Sequence, residues 1–141
     1  MKKDLLILGF VISTVLVAFS GCQEQGVTTD ENFEGIYLES NVVELADATL
    51  EFHTTYDFED EKDIIEKVDV KYLFHNIAGR DININVTVKF YDKDNNLLEL
   101  IVGQKTSNLF KDYTESMVNI ISYSGEQVTE VDHVKIIAIE A

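Results

Sequence analysis

The sequence predicts an all-β protein that folds as a single antiparallel β-sandwich of about seven strands. Three observations favour this fold class. Apolar residues recur at every second position in most runs after residue 34, turn-forming residues separate these runs, and no stretch carries a long helical period with caps. Period-two runs are typical of strands with one buried face, and several short strands with regular turns are typical of a sandwich.

Length and composition limit the chain to one domain. Its 141 residues, of which 45% are hydrophobic, suffice for one buried core but not for two ordinary domains. We therefore expect the sandwich to occupy residues 34–141, after a signal peptide at 1–21 and a polar tether at 22–33.

The charge of the chain argues against two classes of partner. Twenty-six acidic and 11 basic residues give a formal net charge of -15. Such a field repels phosphate backbones, so we expect no nucleic-acid partner. It also argues against adhesion to an anionic lipid surface through a basic patch.

The N-terminal residues have the layout of a signal peptide. Lys2 and Lys3 precede an uncharged apolar run, Leu5–Phe19, and the small residues Ser20 and Gly21 follow it. The apolar run is shorter than the roughly 20 residues of a typical spanning helix. An uncleaved membrane anchor is the alternative interpretation.

Cys22 is the chain's single cysteine, so no internal disulfide can form. The segment FSGC at 19–22 resembles the lipobox of bacterial and archaeal lipoproteins, in which two small residues precede a cysteine. This resemblance implies cleavage between Gly21 and Cys22 and attachment of a diacylglyceryl group to the Cys22 thiol. Two chains on one residue supply the double anchoring that a single acyl chain lacks. The expected location is the extracytoplasmic side of a cell membrane.

The residues after Cys22 are predicted to form the tether. Residues 23–32 are polar, include Gly26 and show no periodicity, so nothing in them indicates a strand or helix.

The strand predictions follow the chain order. The clearest run is 82–90, where Ile and Val alternate with Asn, Thr and Lys. The segment 57–67 is predicted to be a loop or one short helical turn. Candidate strands lie at 35–40, 42–45, 48–56, 68–75, 82–90, 97–102, 115–123 and 132–140, and turn signals lie at 75–81, 92–96, 103–108 and 123–127.

The segment HNIAGRDININVTVKFYDKDNNLLE resembles the FxLYD family of small immunoglobulin-like domains. Asn76 and Gly79 match the family's first turn, and residues 86–92 match the strand that gives the family its name. The resemblance covers roughly residues 66–123 and implies an immunoglobulin-like sandwich in an envelope or extracellular protein. A sandwich of the desiccation-protein (LEA type 2) kind is a close alternative.

One turn offers candidate metal ligands. Asp92, Asp94 and Asn96 fall at the first three ligand spacings of an EF-hand loop, where calcium needs several oxygens in a tight arc. Leu97 and Gly103 stand at positions where that loop needs glycine and a bidentate glutamate. A hairpin turn is therefore the favoured interpretation, with a weak calcium site as the alternative.

No motif indicates catalysis, and we expect neither an enzyme nor a bound cofactor. The sequence has no nucleophile elbow, phosphate-binding glycine loop or CxxC pair. His53, His75 and His133 lie at spacings that are not typical of a metal site, which favours ordinary surface histidines.

Asn85 begins the tripeptide NVT, a glycosylation sequon, on the polar side of the strand predicted at 82–90. Its side chain should therefore face solvent. Modification of Asn85 depends on whether the source cell glycosylates, and a chance occurrence of so short a motif is the alternative.

Together these observations predict a membrane-anchored extracytoplasmic lipoprotein whose β-sandwich is an interaction module. The membrane is one partner, through lipid at Cys22, and another envelope protein or polymer is the other. The alternatives are a structural envelope component without a discrete ligand and a weak calcium- or small-ligand-binding protein.

Overall fold

The predicted all-β, immunoglobulin-like sandwich is confirmed by a computed structural model that describes residues 28–103 and 105–141. Gly21 and Cys22 lie outside the described residues. Among the described residues, no helix has the length and apolar character needed to cross a membrane. The strands are β1 (Thr28–Phe33), β2 (Ile36–Ser40), β3 (Val43–Asp57), β4 (Lys62–Asn76), β5 (Ile82–Tyr91), β6 (Leu97–Val102), β7 (Thr106–Leu109), β8 (Asn119–Tyr123) and β9 (His133–Glu140), with a 3₁₀ helix at Val128–Glu130.

The first sheet, sheet A, has the strand order β1-β2-β9-β5-β6, and β7 also pairs with β5. Its pairs are antiparallel except for β2 and β9, which run parallel. This pair departs from the predicted all-antiparallel pattern. Parallel neighbours need a long connection, and the chain between β2 and β9 supplies one by forming the remaining strands from β3 to β8.

The second sheet, sheet B, has the order β3-β4-β8. Strands β3 and β4 form a hairpin of two 15-residue strands, and Glu61 in its turn has a φ of 48°. The segment 57–67 is therefore mostly strand and not a helical turn. The sequence does not indicate a strand here, because most side chains at the tip of the hairpin face solvent and apolar residues do not alternate with polar ones.

The core lies between the two sheets, and the alternating patterns predict its members correctly. On β5 every residue of the apolar parity, from Ile82 to Phe90, is at most 3% exposed. On β4 the facing set is Val68, Val70, Tyr72 and Phe74. Burial of a large apolar side chain contributes about 1.5–3 kcal/mol to folding, so these two central strands account for much of the stability.

The tether prediction is wrong for residues 28–33, which form β1 and pair antiparallel with β2. Residues 22–27 of the predicted tether lie outside the described part of the chain. A polar edge strand can be held by backbone hydrogen bonds to its neighbour without an apolar face, so residue composition did not reveal it.

Other boundaries also differ from the prediction. The candidate strands 42–45 and 48–56 form one continuous strand, β3. Strand β7 lies largely within the predicted turn at 103–108, and β8 begins at Asn119, four residues later than predicted. The chain between β7 and β8 is connected to β4 by an isolated β-bridge between His75 and Thr114. As a result, the β6–β7 connection lies beside the segment that precedes β8.

Candidate functional site

Strand β8 forms an open edge of sheet B. It pairs with β4 from Tyr72↔Asn119 to Val68↔Tyr123. Within residues 28–103 and 105–141, no strand pairs with its other side. The unpaired N–H and C=O groups of an edge strand are a ready template for a strand from another chain.

The edges of the two sheets differ in how well they are protected. Strand β3 carries Glu44, Asp47 and Glu51 and has two register shifts, and β6 carries Glu99 and has one. Charges and bulges of this kind discourage pairing with other chains. The sequence of β8, NIISY, has no charge, and its pairing with β4 has no register shift. Strand β8 is therefore an edge without these protective features.

A groove of about 700 Å³, lined by both polar and apolar side chains, runs between β8 and the β6–β7 connection. Tyr72 and Ile121 lie at its inner side, and Glu115 lines it near the start of β8. Apolar side chains grouped on an exposed surface mark contact sites for other molecules. Four of its apolar lining residues are more than half exposed: Val102, Met117, Val118 and Ile120.

Gly103 lets the β6–β7 connection pass close to β8 in this groove. Its N–H donates to the Val86 carbonyl at 2.8 Å. A Cβ at this position would lie 3.0 Å from Cδ1 of Ile121 and 3.3 Å from the Val86 oxygen. A larger residue would therefore push the connection away from β8 and change the shape of the groove.

Glu115 fixes the chain that leads into β8. Its Oε2 accepts hydrogen bonds from the Phe74 N–H at 2.9 Å and from Nδ2 of Asn119 at 2.8 Å. Burial raises the pKa of Glu115 above its ordinary value, although these two hydrogen bonds act in the opposite direction. Burial, and to a lesser extent the charge of Glu115, raises the pKa of Tyr72 to about 12.

Tyr72 is expected to ionise later than a free tyrosine when the folded protein is titrated with base. Because its folded pKa lies above the ordinary value of 10.0, its contribution to stability is fully present below pH 10 and is lost as the pH rises through about 12. Ultraviolet absorbance of tyrosinate should show a late component that Tyr72→Phe removes. Ionisation of all six tyrosines near pH 10 without unfolding would contradict this assignment.

A polar cluster occupies the outer face of sheet B beside β8. Glu51 and His53 lie two residues apart on β3 and so share a face, and the register places Asp69 between Glu51 and Ser122. Ser122 Oγ donates to Asp69 Oδ1 at 2.5 Å. His53 Nε2 lies 2.8 Å and Lys67 Nζ 3.0 Å from Asp69 Oδ2. We call Glu51, His53, Asp69, Lys67, Lys71 and Ser122 the outer cluster.

Asp69 is 6% exposed although it lies on the outer face of the sheet, because the surrounding side chains cover it. This burial by itself raises the pKa of Asp69. The hydrogen bonds from Ser122 and Lys67, the charge of Lys67 and the contact with His53 outweigh it, so the pKa lies below its ordinary value. Asp69 thus remains a carboxylate at neutral pH.

The outer cluster contains serine, aspartate and histidine, but not in the order of a catalytic triad. Ser122 donates to Asp69, and His53 contacts the other oxygen of the same carboxylate. In a triad the histidine lies between the two and accepts the serine proton. This arrangement does not activate Ser122 through His53.

The predicted calcium ligands form a hairpin turn. Asp92 Oδ1 accepts from the N–H groups of Asp94 and Asn96 at 2.9 and 2.8 Å, and Oδ2 accepts from Asn96 Nδ2 at 2.9 Å. These hydrogen bonds, led by the one from the Asn96 side chain, lower the pKa of Asp92. Asn95 has a φ of 62°, as the favoured hairpin interpretation expects. The Asp92 oxygens thus act as hydrogen-bond acceptors within the turn.

The remaining predicted site residues lie apart from one another. The Asn85 side chain is exposed on β5, as its polar parity predicts. His75 Nδ1 contacts the Thr114 hydroxyl, and His133 stacks on Tyr91 beside Asp132. The three histidines therefore do not converge.

Sequence reasoning missed both the open β8 edge and the outer cluster. The signal available for the cluster was parity, because Glu51, His53 and Asp69 all occupy the polar side of their strands. Register decides whether such residues meet, and register between β3 and β4 is set by a hairpin turn that the sequence did not reveal.

No family model matches the chain, and no curated protein matches its sequence. One similar solved structure is the crystal structure of cj0090 from Campylobacter jejuni. It is 10% identical, with a TM-score of 0.38, over 76% of this chain and 100% of that one. A similarity this distant does not identify a function.

Proposed function

We propose that this protein is a lipid-anchored extracytoplasmic lipoprotein whose sandwich binds an extended segment of another envelope protein along β8. The observation that carries this proposal is the uncharged, unpaired edge of β8 beside a groove that exposes several apolar side chains. The lipid on Cys22 would hold the domain near other membrane-anchored proteins, which raises their effective concentration.

Strand addition fits the chemistry of this edge. Backbone hydrogen bonds from β8 would supply affinity, and alternate side chains of the added segment would enter the groove lined by Val102 and Met117. The net charge of -15 repels acidic partners. The segment should therefore be neutral or basic, with apolar residues at every second position.

The proposal predicts that a partner protein can be cross-linked to the sandwich at the β8 edge. A photoreactive residue at exposed Val118, in the full chain within its native envelope, should capture a discrete protein identifiable by mass spectrometry. Ile120→Lys should reduce this product at least about tenfold, because the lysine places an unpaired charge in an apolar contact. Ile120 is 56% exposed, so folding stability should change by about 0.5 kcal/mol or less.

Thr55→Lys is the matched control, since Thr55 is also an exposed strand residue but lies on the edge strand β3. It should leave the cross-link unchanged. Absence of a discrete product, or equal loss in both variants, would contradict the proposal and favour a structural envelope component.

A further inference from the structure

The outer cluster contains three donors of the kinds that bind transition metals. One oxygen each of Glu51 and Asp69 and a ring nitrogen of His53 all lie within 4.8 Å of one another. Nε2 of His53 is 2.8 Å from Asp69 Oδ2 and 3.9 Å from Glu51 Oε2. Donors around a tetrahedral Zn²⁺ lie about 3.4 Å apart, so each of these two distances needs to change by less than about 1 Å.

A second, independent observation concerns His53 Nε2. Solvent does not reach this atom, and among the described residues it has no hydrogen-bond partner. It lies 2.8 Å from Asp69 Oδ2, a contact that is an ion pair only when the ring is protonated. Buried side-chain nitrogens nearly always have a hydrogen-bond partner, and on a neutral ring the lone pair of this nitrogen would face the Asp69 carboxylate without one. A bound metal ion would give that nitrogen a partner.

Two lysines already place positive charge at these carboxylates. Lys67 Nζ lies 3.0 Å from the Asp69 oxygen that faces His53, and Lys71 Nζ lies 2.7 Å from Glu51 Oε2. Their side chains are 41% and 34% exposed, so both can turn into solvent when another cation binds. The lysines therefore act as competitors of a metal ion and do not block the site.

From these observations we propose that Glu51, His53 and Asp69 bind a divalent transition-metal ion such as Zn²⁺. The nitrogen ligand favours this class, because Ca²⁺ and Mg²⁺ prefer oxygen ligands alone. The strand pairing fixes two of the ligands, since Glu51 lies directly opposite Asp69. This site is distinct from the hairpin turn at Asp92 and does not depend on the proposed binding at β8.

The test is a calorimetric titration of the full chain, purified in detergent, with Zn²⁺ alone. We expect saturable binding of one ion per chain and an increase in Tm, because a ligand that binds the folded state stabilises it. His53→Ala should weaken binding at least about tenfold. Lys67→Met should strengthen it, because it removes a competing cation from Asp69. Ca²⁺ should bind more weakly than Zn²⁺.

His133→Ala is the matched control, because His133 also lies beside a carboxylate, 2.9 Å from Asp132, but outside the cluster. It should leave the affinity unchanged. Since Asp69 is buried and its substitution could prevent folding, Glu51→Gln is the second ligand variant and should also weaken binding. Absence of saturable binding, or an affinity for Zn²⁺ in His53→Ala and Glu51→Gln equal to that of the parent chain, would overturn the proposal.

Discussion

Asn76→Ala is expected to destabilise the sandwich by about 3–4 kcal/mol, because one buried amide connects three segments of the chain. Asn76 is fully buried at the end of β4. Its two Nδ2 hydrogens are shared among the carbonyls of Arg80, Leu109 and Phe110 at 2.8–2.9 Å, and its Oδ1 accepts from the Ala78 N–H at 2.8 Å. Alanine would leave these backbone groups without that partner and create a small cavity.

Urea denaturation of Asn76→Ala and of the parent protein would measure this loss of unfolding free energy. Asn85→Ala is the control, because Asn85 is exposed on β5, the next strand in the chain, and should change stability by about 0.5 kcal/mol or less. A loss below about 1 kcal/mol in Asn76→Ala would show that water replaces the amide, contrary to the buried network.

Asn76 also illustrates which features of the fold could be predicted from the sequence. Its position before a turn was visible, and Gly79 in that turn has the positive φ, 72°, that favours glycine. Its partners at Leu109 and Phe110 lie more than 30 residues later and belong to no recognisable motif. Local alternation identifies a strand and its buried face, but it carries no information about which distant backbone groups will meet.

The same limit applies to the pairing of strands. The apolar parity of β5 is repeated over a whole strand, so both its existence and its buried face could be predicted. The parallel pairing of β2 with β9 depends on the path of nearly the whole chain, which no local pattern encodes. The candidate sites depend on such pairings, because β8 is open only as a consequence of the strand order in sheet B.

Cys22→Ser is expected to abolish lipid attachment and cleavage after Gly21, which is the largest functional effect predicted for a single substitution. Sulfur is the nucleophile that the attachment reaction needs, and the chain has no second cysteine to replace it. Mass spectrometry of the chain isolated from cells should show a precursor that retains residues 1–21 and no diacylglyceryl group. Metabolic labelling with a fatty acid should be lost in parallel.

Membrane fractionation alone would not test this prediction. An uncleaved precursor keeps the apolar run Leu5–Phe19 and can stay in the membrane without lipid. The measured mass of the chain and its lipid label therefore test the prediction. Ser20→Ala is the matched control, since it keeps a small residue beside Gly21 and should leave processing intact. A Cys22→Ser chain that still begins at residue 22 would instead identify an ordinary signal peptide, whose cleavage needs small residues before the cut but no thiol after it.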